Sequence, residues 1–253
     1  MRLATFNIQH GRSPSDERVD LGRFAEAVRT LDADVLALQE VDRDQPRSLG
    51  ADLTKVAAEA MGATTYRFVA ALSGTPGTAW RPATGQEEPG TANYGIALLS
   101  RYPVADWQVR RLPVLPVPVP RWGGGRLRPK LVRDEARVGV GATVLAPSGP
   151  LLVVTTHLSF LPAWNVVQLR RLRRTWSSHR WPVVVMGDLN MPARQAVRAT
   201  ALRPLATSLT FPVDQPRRQI DHILARGLRA AAPGEAYRLP VSDHCALTVD
   251  LAD

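Results

Sequence analysis

"VVVMGDLNMP", residues 183–192, opens as a strand and closes as something else. Three valines and a methionine in succession have no polar side, the pattern of a strand covered on both faces. Gly187, Asp188 and Asn190 follow within four residues, and Pro192 ends the run. On an extended chain a carboxylate and an amide two residues apart project to the same side. Burying both costs desolvation energy unless they have partners or chemistry to perform. The stretch therefore predicts a sheet packed on both faces that presents polar groups at a strand end.

Similar runs recur outward from it, at 3–8, 35–39, 66–72, 94–100, 138–145, 151–157, 220–225 and 246–251. Helical periodicity lies between some of them. "DLGRFAEAVRTL" sets Leu21, Phe24, Ala25, Val28 and Leu31 on one face, and "DLTKVAAEAM" does so with Leu53, Val56, Ala57 and Met61. "WNVVQLRRLRRTW" does the same with Val166, Leu169, Leu172 and Trp176. Many strands interleaved with a few helices predict an α/β class, sheets with helices packed outside. At 253 residues with 45% hydrophobic content, the chain can bury a full core as a single domain over residues 1–253. Two segments break the rhythm. Residues 73–92 are polar and rich in Gly and Pro, and 112–132 combine five prolines, three glycines and four basic residues, so both are expected as functional or irregular loops.

The net charge is +9, carried almost wholly by arginine, since Lys55 and Lys130 are the only lysines. The excess of base favours a polyanionic partner: nucleic acid, an anionic lipid surface or phosphorylated metabolites. Cys245 stands alone, which rules out an intrachain disulfide and a cysteine-based zinc site. No signal-like segment and no apolar run of membrane-spanning length occurs, so the expectation is a cytoplasmic protein with no integral membrane contact and no obligate protein partner.

Polar residues gather at strand ends throughout: Asn7, Glu40, His157, Asp188, Asn190, Asp221, Asp243 and His244. Each alone reads as a turn residue, a solvated strand end or a satisfied core histidine. Together they compose one reaction centre. Glu40 is a hard oxygen ligand suited to Mg2+ or Mn2+, and Asn7 can add a neutral oxygen. Asp188 can take a proton from water while Asn190 holds that water or a phosphoryl oxygen. His157 and His244 can donate to phosphate oxygens, and Asp221 or Asp243 can orient a histidine and raise its pKa. The set suits metal-assisted attack of water on a phosphate ester.

"TFNIQHG", "LALQEVD", "YGIALLSRYPV", "TTHLS", "GDLNMP", "IDHIL" and "SDH" resemble, in order, the signature elements of the endonuclease/exonuclease/phosphatase superfamily. That is the fold of deoxyribonuclease I, abasic-site endonucleases, neutral sphingomyelinases and inositol-polyphosphate 5-phosphatases. One such motif arises by chance; all of them in order span residues 3–251, essentially the whole chain. The resemblance implies a four-layer α/β/β/α sandwich of two mostly antiparallel sheets, with the site along one edge. It matches Glu40 to the principal metal ligand, with Asn7 and Asp243 close to the metal. Asp188 and Asn190 match the pair that positions the attacking water, His157 and His244 the phosphate-contacting histidines, and Asp221 the partner of the second histidine. Arg137 matches an arginine opening the preceding strand, with Arg133 as its rival.

The expected function is a Mg2+- or Mn2+-dependent phosphoesterase cleaving phosphodiesters, nucleic acid favoured. The alternative is a phosphodiesterase or phosphatase acting on a lipid head group, a phosphoinositide or a small phosphorylated metabolite. Gln9 stands where abasic-site endonucleases carry an acid, and "THLS" replaces their tyrosine and asparagine, so that branch is disfavoured. Arg121, Arg126 and Trp122 in the 112–132 segment, and His10 after the first strand, are candidate substrate contacts. Trp80 reads as stacking or packing, with packing the safer reading, and Arg170, Arg171, Arg173 and Arg174 read as a solvated helix exterior.

Overall fold

A computed structural model describes residues 1–121 and 130–252. One sheet runs, edge to edge, β14 (Glu235–Tyr237), β15 (Ala246–Asp250), β1 (Arg2–Asn7), β2 (Val35–Arg43), β5 (Asn93–Ser100), β3 (Thr65–Ser73) and β4 (Arg81–Pro82). The other runs β12 (Arg203–Pro204), β13 (Asp221–Arg226), β11 (Val183–Asp188), β10 (Gly149–His157), β9 (Val138–Ala146) and β6 (Val104–Arg111). A small hairpin pairs β7 (Val119–Arg121) with β8 (Lys130–Val132). The 112–132 segment, expected as irregular, thus contains an antiparallel pair. Trp122 and Arg126 lie outside the described residues, and Arg121 is placed only as a backbone position ending β7.

Three apolar clusters fill the layers. Leu3, Val35, Ala37, Ile96 and Leu98 of the first sheet meet Val140, Val153, Val184, Met186 and Ile223 of the second. The outer face of the first sheet packs Phe6, Leu36 and Leu38 against Phe24, Val28 and Leu53 of α1 (Leu21–Leu31) and α2 (Leu53–Met61). The outer face of the second packs Leu152, Val154 and Val185 against α3 (Trp164–Arg173) and α4 (Ala193–Thr200). The order is helices, sheet, sheet, helices, as expected. Alternate residues of β1 and β11 enter different clusters, so the valine run is buried on both faces for the reason its composition predicts. No helix among the described residues is long and apolar enough to cross a membrane.

Each sheet is antiparallel except for one central pair. β1 runs parallel to β2, and β10 parallel to β11 with His157 opposite Asp188. A parallel pair brings the C-terminal ends of both strands to the same edge. In this molecule Asn7, the end of β2, His157 and Asp188 therefore share one rim of the sandwich. Beneath that rim Gln39 Nε2 donates to Thr5 Oγ1 at 3.1 Å and to Thr155 Oγ1 at 3.4 Å, a polar link between the sheets.

The expected strand end at Glu40 is corrected. β2 continues to Arg43, and the register against β5 slips between Gln39 and Val41. Glu40 is the extra residue of that bulge, with φ at +57°. A bulge leaves its extra residue unpaired and re-aims the side chain, which turns Glu40 toward the rim.

Candidate active site

Asp188 Oδ2 lies at the centre. Asn7 Nδ2 donates to it at 3.1 Å and, from the same nitrogen, to Glu40 Oε1 at 3.1 Å. His157 Nε2 lies 3.4 Å away and His244 Nε2 3.9 Å. Asp188 Oδ1 accepts the Asn190 backbone N–H at 2.9 Å. Gly187 permits this exit: its φ is +145°, and a Cβ there would run into the Thr156 carbonyl oxygen. Only glycine tolerates both conditions.

Each neighbour is itself held. Asn7 Oδ1 accepts the Gln9 N–H at 3.1 Å, so its amide nitrogen, not its oxygen, faces the carboxylates. Asn190, at φ +51°, sits beyond the strand, and its amide donates to the Leu158 carbonyl at 3.1 Å and lies 3.3 Å from His157 Nε2. Asn165, in the first turn of α3, donates to the Asn190 carbonyl at 2.8 Å. His244 Nδ1 is 2.9 Å from Asp221 Oδ2, and the Phe211 ring lies 4.8 Å from its imidazole. Ser242 accepts the His244 N–H at 3.0 Å and donates to the Asn7 carbonyl at 2.5 Å, tying the last loop to β1. Sequence reasoning misses the roles of Phe211, Ser242 and Asn165. For Phe211 and Asn165 the signal, proximity to motif residues, exists only in the fold; Ser242 opens the "SDH" motif, which marks its place in the sequence but not its role.

Burial and charge set the protonation states. Burial first, then the charge of Asp221, raises Asp188 to about 7. Burial likewise raises Glu40, while the Asn7 hydrogen bond and the charges of His244 and Arg137 draw it back. For His244, burial alone would lower the pKa. The charge and hydrogen bond of Asp221, helped by Asp188 and Asp243, outweigh it and raise the imidazole to about 10. His157 goes the other way, lowered by burial and by Arg137 and His244, so its contact with Asp188 is a polar one between a neutral ring and a carboxyl. The two histidines thus carry different charges at neutral pH.

Arg137 is 4% exposed, and its Nε and Nη1 have no hydrogen-bond partner; only Nη2 meets Glu135, at 3.0 Å. Its rival Arg133 is exposed. Unpaired buried guanidinium donors are costly, and here they lie within electrostatic reach of Glu40 and His157. Asp243 is half-buried and close enough to raise both Glu40 and His244. His10 is not among the central carboxylates. It lines an adjoining pocket with Arg12, Arg18 and Arg47, and burial plus Arg47 lower it to about 4. Trp80 packs on Tyr94, ring centroids 5.4 Å apart. His222 faces away from the site and meets the Met191 carbonyl at 2.8 Å.

The carboxylates fit a divalent cation. Asp188, Asp221 and His244 each place one ligand atom within 4.8 Å of the others, and Asp221 Oδ1 is buried without a partner. His244, however, is engaged through Nδ1 by Asp221 and raised to about 10, which favours its protonated form over metal ligation. Glu40, with Asp243 close by, offers the hard oxygens that magnesium or manganese takes, whereas Asn7 presents its amide nitrogen and would add an oxygen only with its amide turned.

Residues 4–244 match the Endonuclease/Exonuclease/phosphatase family. The chain belongs to that family. That family hydrolyses phosphate esters and generally depends on a divalent metal. The uncharacterized protein YbhP of Escherichia coli K12 is 28% identical over 271 aligned positions, covering 99% of this chain and 95% of YbhP. A family member from Beutenbergia cavernae superposes with a TM-score of 0.67 at 26% identity, over 99% of this chain and 71% of its own. Sphingomyelinase C from Streptomyces griseocarneus shares the fold, with a TM-score of 0.62 at 14% identity over 100% of this chain and 99% of its own.

Proposed function

We propose that this protein is a Mg2+- or Mn2+-dependent phosphodiesterase with nucleic acid as its favoured substrate. The observation that carries the reading is the setting of Asp188. A carboxylate raised toward neutrality is a competent general base, and Asp188 is flanked by two imidazoles and bridged through Asn7 to Glu40. A metal held by Glu40 and Asp243, with Asn7 joining them if its amide turns its oxygen inward, would supply Lewis-acid stabilisation of charge on the phosphate oxygens.

The chain's own residues supply the rest. Asp188 takes the proton of the attacking water, and Asn190, fixed by Leu158 and Asn165, orients that water. His244, kept cationic by Asp221, donates to the phosphate as negative charge builds. Neutral His157 offers a further hydrogen bond. The free donors of Arg137 grip a non-bridging oxygen, which repays their burial. A net charge of +9 favours a polyanion as substrate. The second reading, a lipid head group or small phosphorylated metabolite, draws on the likeness to sphingomyelinase C.

The test is a substrate panel of plasmid DNA, single-stranded DNA, RNA, sphingomyelin, phosphoinositides and a bis-aryl phosphate, each with magnesium, manganese or EDTA. Asp188→Ala and His244→Ala serve as controls. Turnover in EDTA, or full activity of Asp188→Ala, sinks the mechanism; cleavage of lipid but not nucleic acid overturns the substrate and keeps the chemistry.

A further inference from the structure

The two helical layers carry very different charge. On α1 and α2 the basic residues have acidic partners: Arg23 with Asp16, Arg29 with Glu26, Lys55 with Glu59. The opposite layer has none. Between Arg137 and Asp214 the chain contains eight arginines and a single acid, Asp188, which is buried in the catalytic rim. Arg170, Arg171 and Arg173 on α3, Arg174 at its C-cap, and Arg194 and Arg198 on α4 are all exposed. None of the six makes an ion pair or a side-chain hydrogen bond among the described residues. Leu169 and Leu172 of α3 share an apolar cluster with Ala196 and Ala199 of α4, so the two outer surfaces adjoin as one basic face. Two acids border the face: Asp134, buried and engaged by Trp164 Nε1 at 2.8 Å at the start of α3, and Asp106 of β6, within electrostatic reach of His179.

We propose that this face is a docking surface for the phosphate backbone of a nucleic acid. The inference rests on the phosphodiesterase reading and adds where the polymer lies. Uncompensated charge repels itself and is a cost to the folded chain unless a polyanion answers it. All six cations are arginines, whose planar forks match phosphate oxygens two at a time. The face also connects to the site. Asn165 at the top of α3 holds the Asn190 carbonyl, and α4 starts three residues past Asn190. A strand cleaved at the rim can turn over it and follow α4, where Arg194 and Arg198 stand one helical turn apart.

An anionic bilayer fits less well. Val167 is the one large hydrophobic exposed on these helices, so nothing is available to insert. A flat membrane on this flank would also leave the catalytic groups on an adjacent edge.

The test compares two variants of equal charge. One replaces Arg170, Arg171, Arg194 and Arg198 by Gln; the other replaces Arg23, Arg29, Lys55 and Arg101, which pairs with Asp32 at the end of α1, by Gln on the opposite side. Binding of a labelled DNA oligonucleotide is measured in EDTA, which separates docking from cleavage, across about 50 to 200 mM salt. Vesicles rich in phosphatidylglycerol form a parallel arm, thermal melting checks folding, and metal-supported turnover of a bis-aryl phosphate checks the site.

In the α3/α4 variant we expect the slope of log K against log salt to become shallower by about 3, from roughly 0.7–0.9 for each phosphate no longer neutralised. Affinity falls at least about tenfold while bis-aryl phosphate turnover holds within about twofold, and the opposite-layer variant keeps most of its affinity. Equal losses in both variants, or an unchanged slope, overturn the proposal, as does wild-type binding to the vesicles and not to DNA. A wild type that binds DNA through this face yet cleaves no nucleic acid with either metal refutes the nuclease reading and leaves the docking surface standing.

Discussion

Replacing Asp188 by Asn should stabilise the metal-free protein. Folding raises the proton affinity of this carboxyl from its ordinary 3.8 to about 7. Between those values the folded chain holds a proton that the unfolded chain releases, so stability falls as pH rises through the window. The loss is absent below about pH 4 and complete above about pH 7. Roughly three decades in proton affinity, at about 1.36 kcal/mol each, set an upper bound of about 4 kcal/mol. Asn cannot ionise and escapes that cost. It gives up the hydrogen bond from Asn7 Nδ2 and some counter-charge for His244, together about 1–2 kcal/mol. The expected net gain is about 2–3 kcal/mol at pH 8. The assay is urea unfolding of wild type and Asp188→Asn in EDTA at a series of pH values from 4 to 8 (an about four-decade span that brackets the titration). The difference should open with rising pH and level off above about 7. A gap independent of pH, or a variant less stable than wild type at pH 8, refutes the assignment of a strained, desolvated carboxylate. Saturating magnesium should narrow the gap, since the Asp188 carboxylate adds negative charge near Glu40 that the variant lacks, so the folded wild type binds the cation more tightly and gains more by mass action.

Catalysis offers further checks. Arg137→Gln should lower kcat/KM for a bis-aryl phosphate by about a hundredfold while leaving the melting temperature equal or higher, because two of its nitrogens have no partner to lose; unchanged turnover would remove it from the site. The pH profile of kcat/KM should show an acid limb that ends by about pH 7 as Asp188 loses its proton, with no fall near neutrality from His244, whose pKa of about 10 keeps it charged; a falling limb between pH 6 and 8 (roughly the range of an unperturbed imidazole) would contradict that. Gly187→Ala should destabilise by about 3 kcal/mol or more, since its Cβ meets the Thr156 carbonyl at a φ of +145°; denaturant midpoints at wild-type level would show that the strand end relaxes freely.

Much of this is legible in the chain itself, for identifiable reasons. The valine run of β11 has one interpretation at any packing, and the polar residues after it cost too much to be accidental. Other elements carry weaker signals. β6 escapes a reading by pattern because its residues are mostly exposed or half-buried, as suits an edge strand. α4 escapes it because its buried face consists of Ala196, Ala199 and Thr200, small side chains that barely mark a helical stripe. The bulge at Glu40 has no glycine or turn residue to announce it. The choice between Arg133 and Arg137 needs burial, which pattern alone does not supply. The basic face is spread over two helices some twenty residues apart, and the absence of acids opposite them becomes meaningful only once the helices lie side by side.

The hydrogen bond from Asn7 to Asp188 joins β1 of one sheet to β11 of the other, and Ser242 clasps Asn7 from a loop close to the end of the sequence. During synthesis the first strand therefore emerges with a site residue that has nothing to act with. Its lateral partner β15 and its catalytic partners Asp221, Asp243 and His244 arrive only after some two hundred further residues have left the ribosome. No nascent fragment shorter than that can assemble the rim. A phosphate-ester hydrolase of this fold is thereby kept latent by chain topology until Asp221, Asp243 and His244 have been made.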